Sequence, residues 1–284
     1  MVTKDQRRRQ LAREKFERQQ QRRVQMRRKS RTRNSVIAAV LAVVVIGGGS
    51  AWGLGAFDSS GKKKSTDDAA ANASASPSAT PSKAPDPCGK ADAGAPGTEQ
   101  WKTEPKMAID KSAKYTFTLQ TTCGSIPIAL DAAKAPDTTN SFKFLADKGF
   151  FDHTKCHRLT TEGIFVLQCG DPTARGNGGP GYTIPDENLT AFGKADAQKT
   201  VTYPAGTVAM ANTGQAHTGG SQFFLVYKDS PLAPSYTPFG TIDAAGMKVL
   251  DKIAAAGAQP ADQTTGNTAP NATVVINKAT VSKS

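Results

Sequence analysis

Arg158 stands in a short run, Cys156-His157-Arg158-Leu159-Thr160, and a second run from Ile164 to Leu167 follows it and closes on Gln168, Gly170 and Asp171. A guanidinium is a rigid, permanently charged plane of five donors, costly to leave half buried unless something accepts its protons. An arginine among apolar residues therefore implies an acceptor, either a neighbouring side chain or a group that binds beside it. Two later stretches share this mixture of amides and apolar residues: Gly206-Thr207-Val208-Ala209-Met210-Ala211-Asn212, and Gly219-Gly220-Ser221-Gln222-Phe223-Phe224. Phe223 and Phe224 should face opposite sides of a strand, with Phe223 in the core.

Other chemistries find little support. Four cysteines, Cys88, Cys123, Cys156 and Cys169, form no Cys-x-x-Cys pair, which argues against a zinc ribbon or a thioredoxin-type site. Cys156, His157 and Cys169 have the ligand types for zinc, but residues 156 and 157 should point to opposite faces of a strand. The run Gly176-Asn177-Gly178-Gly179-Pro180-Gly181 lacks the Gly-Lys-Ser/Thr of a phosphate loop and reads as a shaping loop at a groove. Ser221 is not on a nucleophile elbow, because no glycine follows two residues later. His157 reads as a structural histidine satisfied in the core, and His153 and His217 as loop residues. No metal and no cofactor are expected.

The elements that must position these residues are mostly short strands. Residues 114–119 and 126–130 alternate around Cys123-Gly124 and predict a β-hairpin. Asp137-Thr138-Thr139-Asn140 before Phe142, Phe144 and Leu145, with Gly149 closing, predicts an N-capped amphipathic helix. Strands are expected at 156–160, 164–168, 207–211, 222–226 and 273–280, and a second helix at 244–256. Short strands with two helices suggest a mainly β domain, a closed antiparallel barrel capped at its ends.

Charge divides the 284-residue chain. Residues 1–33 hold 14 of the 36 Lys and Arg and three acids, so the remainder is nearly neutral and a nucleic-acid reading would have to rest on the first 33 residues alone. Residues 35–57 carry no charge and, at about 1.5 Å per residue, can cross a hydrocarbon core of roughly 30 Å. The basic flank predicts a single-pass membrane helix with a cytoplasmic N-terminus and the rest of the chain extracytoplasmic; a cleaved secretory signal is the competing reading. The expected organisation is a basic tail (1–34), a transmembrane helix (35–57), a disordered Ala/Ser/Pro-rich linker (58–106) and a folded domain (107–284).

The motifs His157-Arg158, Phe165 to Asp171, Met210-Ala211-Asn212, Gly220 to Phe224 and Phe239-Gly240, in order over about residues 115–280, resemble the signature of the cyclophilins, the peptidyl-prolyl cis-trans isomerases. The resemblance implies a cyclophilin-like barrel that accelerates X-Pro isomerisation by binding proline-containing segments; together with the expected anchor and spacer it makes exported, unfolded proteins the expected substrates, and a monomer is the expected state. It makes Arg158 the catalytic residue, and Gln168, Ala211, Asn212 and Gln222 the groove that holds the peptide. Phe165, Val166, Phe224, Leu232 and Tyr236 become the wall of a proline pocket. The chain departs from well-known eukaryotic members by extra residues between Arg158 and Phe165 and between Asn212 and Gly220, and by Pro231 and Tyr236 in place of tryptophan and histidine. An alternative reading is a proline-peptide binding module or holdase chaperone without turnover. Four cysteines allow three pairings, and sequence alone does not choose among them; the hairpin expected around Arg158 favours Cys156 beside Cys169, with Cys88 and Cys123 as the more peripheral pair. If residues 35–57 are retained as an anchor, a labelled blot will show the cell-associated protein at full-length mass; a shortened product would identify a cleaved signal.

Overall fold

Alternation builds the sheet. In the computed structural model, which describes residues 86–284, Tyr115, Phe117 and Leu119 of β1 (Tyr115–Thr121) and Ile126, Ile128 and Leu130 of β2 (Gly124–Leu130) are all buried. The two strands pair antiparallel with Thr121 opposite Gly124, so Thr122 and Cys123 make the turn. Gly124 lies at φ 136°, and a Cβ there would come within 2.9 Å of the Val249 side chain. The position therefore favours glycine on both backbone and packing grounds.

Seven more strands extend this hairpin: β3 (Thr154–Lys155), β4 (Arg158–Leu159), β5 (Val166–Cys169), β7 (Thr207–Met210), β8 (Phe223–Val226), β10 (Pro238–Ile242) and β11 (Val275–Lys283). Their order is β3-β11-β1-β2-β10-β7-β8-β5-β4, and β6 (Val201–Tyr203) pairs with β9 (Ser230–Leu232) in a separate two-stranded sheet. The large sheet curls into a half-barrel and does not close, contrary to the closed barrel expected. Its two end strands, β3 and β4, are consecutive pieces of one run of chain and cannot form a ladder with each other. Cys156 N donates to Val274 O on the β11 side (3.0 Å), and His157 N donates to Gln168 O on the β5 side (3.1 Å). The chain itself thus steps from one edge of the sheet to the other within two residues.

Helix α1 (Pro136–Asp147) buries Phe142 and Leu145 against an aromatic cluster, with the Phe142 ring 4.5 Å from Phe239 and 5.5 Å from Phe117 and Phe223. Proline begins this helix, where its missing N–H costs nothing. No local side chain caps it. Instead the Glu187 carboxylate, 50 residues on, accepts from Asp137 N (3.0 Å), Thr138 N (2.9 Å) and Thr138 Oγ1 (2.8 Å), placing negative charge at the positive end of the helix. Gly149, at φ 66°, turns the chain away after the last turn. Helix α2 (Ala244–Ala255) is capped locally, the Asp243 side chain accepting from Gly246 N (2.7 Å), and packs on β2.

The folded region begins earlier than the expected boundary at 107. Residues 86–106 form no helix or strand, yet they are a strap bound to the sheet. Cys88 is disulfide-bonded to Cys123, Gly89 N donates to Thr122 O (2.8 Å), and the Trp101 ring packs at 5.0 Å on Phe144 and 6.1 Å on Phe150. At the far end Asn140 Nδ2 donates to Pro105 O (3.2 Å) and Lys106 O (3.1 Å). Composition concealed this: few large apolar residues precede Met107, but Trp101 and Cys88 suffice to hold the segment. The second disulfide, Cys156–Cys169, links the two runs that flank Arg158, so both pairings are those expected. The tail (1–34), the expected membrane helix (35–57) and linker residues 58–85 lie outside the described residues. Among those described, no helix is long and apolar enough to cross a membrane. Starting the chain at residue 107 instead of 86 should therefore lower stability by about 2 kcal/mol or more, since a buried aromatic alone contributes that much, and lower Tm by about 4–8 °C for a domain of this size; calorimetry on the two truncations checks it.

Candidate active site

Pairing on β4, β5, β7 and β8 decides which side chains meet. Arg158 is opposite Gln168, Gln168 opposite Phe224, and Phe224 opposite Ala209. On the concave side, Leu159, Leu167, Val208, Met210, Phe223 and Leu225 join the main core. On the other face, Val166, Ala209, Phe224 and Val226 join Val201 and Tyr203 in a second, smaller core, against which Ile164, Ala211, Leu232 and Tyr236 pack. Each strand therefore serves two interiors, as its period of two requires.

A recess of about 170 Å³ opens on this second core. Ile164, Val166, Phe224, Leu232 and Tyr236 form its apolar side, and Arg158, Gln168, Ala211 and Asn212 the opposite one. It is smaller than the roughly 300–1,000 Å³ of sites for drug-sized ligands and suits one small ring or side chain. The Phe224 and Tyr236 rings meet edge-on at 5.4 Å. Buried Tyr203 braces them, its hydroxyl donating to Tyr236 O (2.7 Å); burial pushes this phenol up to about 12, so it stays a donor.

Arg158 is half-buried, and its side chain makes one hydrogen bond among the described residues, Nη1 to Gln168 Oε1 (3.3 Å). Gln168 Nε2 in turn donates to Gln222 Oε1 (2.9 Å). Asn212 is held from both ends: its Nδ2 donates to Ser235 O (2.7 Å) and its Oδ1 accepts from Gly214 N (2.9 Å). The fixed amides leave most guanidinium donors free to meet an incoming acceptor beside an apolar slot. Such an arrangement can stabilise charge or a lone pair that develops on a bound group.

Eight of the ten residues singled out from the sequence line this recess, and two do not. Phe165 faces away from it: its ring packs edge-on against Tyr227 at 5.9 Å, under Lys228 Nζ at 4.7 Å. Ile164 and Val166 take the wall positions, because alternate residues share a face. Gln222 lies one step off, in an adjoining cavity of about 830 Å³ shared with Gln168, Ala211 and Asn212. The glycine-rich loop and Gln100, Lys102, Thr103 and Glu104 of the strap form its other walls. Tyr203 and the strap residues went unnoticed in the sequence; the alternation in Val201-Thr202-Tyr203 was the available signal for the first. The cysteines weighed as zinc ligands are a disulfide, and among the described residues no group of three metal-type side chains converges.

Residues 116–281 match the cyclophilin type peptidyl-prolyl cis-trans isomerase/CLD family. The chain is 51% identical over 149 residues to a protein of Mycobacterium leprae named probable peptidyl-prolyl cis-trans isomerase B, a match covering 51% of this chain and 50% of that one. It is 38% identical over 147 residues to a Helicobacter pylori peptidyl-prolyl cis-trans isomerase, covering 51% of this chain and 83% of that one. A crystal structure of a Cryptosporidium parvum cyclophilin type peptidyl-prolyl cis-trans isomerase aligns with TM-score 0.47 at 23% identity, over 60% of this chain and 98% of that one. The chain spans about half the length of the mycobacterial relative it matches.

His157, expected to be a satisfied core histidine, is only 5% exposed, and neither ring nitrogen has a hydrogen-bond partner among the described residues. Burial lowers its pKa from the ordinary value near 6.5, Arg158 pushes the same way, and Asp171 opposes. The folded state thus takes up this proton at lower pH than the unfolded chain does, so its stabilisation is lost as pH falls below about 6.5. The lowered carboxyls of Asp171 and Asp196 act only in a more acid window, as the unfolded carboxylates titrate near 4. Chemical denaturation between pH 7 and 5 should show stability falling by up to about 1.4 kcal/mol per pH unit, and His157→Gln should flatten that slope.

Proposed function

The chain belongs to the cyclophilin type peptidyl-prolyl cis-trans isomerase family, and on that premise we propose that it catalyses the cis-trans isomerisation of X-Pro peptide bonds, with Arg158 as the catalytic residue. The observation that carries this reading is a half-buried guanidinium with one hydrogen bond among the described residues, set beside an apolar recess sized for one small ring.

Resonance makes the peptide C–N bond partly double and gives it a barrier of about 18–20 kcal/mol, while X-Pro bonds populate both isomers enough for the slowness to matter. In the proposed reaction the proline ring enters between Val166, Phe224 and Leu232 and is gripped there. Gln168 and Asn212 hold the preceding chain. As the bond twists, resonance is lost and the prolyl nitrogen recovers its lone pair. An Arg158 N–H directed at that nitrogen bonds it more strongly in the twisted state than in either planar one, which is differential binding of the transition state. No bond to the substrate forms or breaks, and no proton leaves the enzyme.

The physiological setting we propose is outside the membrane. Residues 35–57 would anchor the chain, and proline-containing segments of exported, unfolded proteins would be its substrates, met by a monomeric domain. Two disulfides support this placement, because such bonds persist in oxidising compartments. The test is a proline-peptide isomerisation assay on the full chain. Removing the one positioned donor by Arg158→Ala should lower kcat/KM by about 10²–10³, as for other preorganised donors. Equal rates for the two proteins, with peptide still bound, would instead support a binding module or holdase.

A further inference from the structure

Asp171 is fully buried, yet among the described residues it has no cationic partner. Five donors replace one. Its Oδ1 accepts from Thr173 N (2.7 Å) and Thr173 Oγ1 (2.8 Å), and its Oδ2 from the successive amides Gly176 N (2.6 Å), Asn177 N (3.0 Å) and Gly178 N (3.1 Å). Three consecutive N–H groups converging on one oxygen form a nest around the anion. The carboxylate thereby fixes the glycine-rich loop, and the loop can close so tightly only without a side chain: a Cβ on Gly178 would lie 2.1 Å from Asp171 Oδ1.

The carbonyl of Gly178 then points out of the nest and accepts from Gln222 Nε2 (2.9 Å). A carbonyl can only accept, so Gln222 must present its NH₂ there and its Oε1 to Gln168. Gln168 must answer with its own NH₂ (2.9 Å), which turns its Oε1 to Arg158 (3.3 Å), a group that can only donate. The order of donors and acceptors runs in one direction from the guanidinium to the loop. Neither amide can flip without breaking two bonds.

We propose that Asp171 is a positioning residue for the isomerisation: by holding residues 176–178 it anchors the hydrogen-bond chain Gly178–Gln222–Gln168 that aims Arg158 at the recess. The proposal rests on the isomerase reading of the site. It assigns Asp171 no contact with substrate. Burial opposes ionisation of this carboxyl, and the bonds from Thr173, Gly178 and Gly176 outweigh it and hold its pKa below the usual range, so the anchor is charged at neutral pH.

The test is a double-mutant cycle with Asp171→Asn and Gln222→Met in the full chain. Each single variant should lower kcat about tenfold with KM little changed, the size of one lost hydrogen bond to a charged group. If Asp171 acts through Gln222, the double variant should lose no more than the Gln222→Met variant; independent losses that multiply to about a hundredfold would overturn the proposal. A second readout needs no turnover: the Arg158 Nε–Hε cross-peak in a ¹H–¹⁵N spectrum should move in Asp171→Asn as it does in Gln222→Met. An unmoved peak would likewise overturn it. Should Asp171→Asn fail to fold, Gly178→Ala displaces the carboxylate from the other side and takes its place in both measurements. A chain without isomerase activity would refute the proposed function, while the cross-peak would still decide the relay.

Discussion

The strict alternation of β4, β5, β7 and β8 is the constraint on which the site depends. Every second residue of these strands is committed to the concave core, and the intervening ones are left to build something else on the outer face. Phe223 enters an aromatic cluster with Phe117 and Phe142, whereas Phe224, its neighbour, becomes the side of a recess with Tyr236. A slip of one residue in the β5–β8 ladder would exchange Gln168 for Leu167 at the recess and bury an amide in the main core, a register error that costs far more than any single contact. The packing of the large core therefore holds the register of the small one.

Opposite this apolar side stands a wall made almost wholly of amides and one guanidinium. Its members satisfy one another in a fixed order, so that polar groups near a hydrophobic surface are oriented before anything binds. Preorganisation of this kind matters because an arginine free to seek water would lose its directed donors. The geometry at Arg158 is confined further by the Cys156–Cys169 disulfide, which joins the residues two before the arginine and one after the glutamine. The surroundings thus hold the guanidinium from the backbone side as well as through the one hydrogen bond it donates, to Gln168 Oε1.

Long-range partners govern the loops. Glu187 caps α1 from 50 residues away, and Trp101 N donates to Pro180 O (2.8 Å), with Gln100 Nε2 reaching Gly179 O (3.3 Å). The strap and the glycine-rich loop consequently support each other at the edge of the larger cavity, although neither contains a regular element. Gly181, at φ 91° and with a Cβ position only 2.7 Å from Trp101 O, shows how closely the two backbones approach.

Much of the site was legible in the residues themselves. Arg158 stands out because a guanidinium among apolar neighbours needs a partner, and alternation separates Phe224 from Phe223; Gln168, Asn212 and the wall positions come from the resemblance of their motifs to the cyclophilins. The same rule of alternation, applied to Ile164-Phe165-Val166, turns Phe165 away from the recess when Val166 faces it; the motif resemblance places both on the wall. What the linear chain could not disclose were the contacts whose partners are remote: the Glu187 cap, the Trp101 strap that moves the domain boundary upstream, and the open sheet that follows from one run of chain reaching both edges. Local pattern, set by the pleat and by side-chain chemistry, determined which residues face a site. Only the tertiary structure decided which distant groups hold them there, because hydrogen-bond partners and packing neighbours are chosen by proximity in space and leave no period in the sequence.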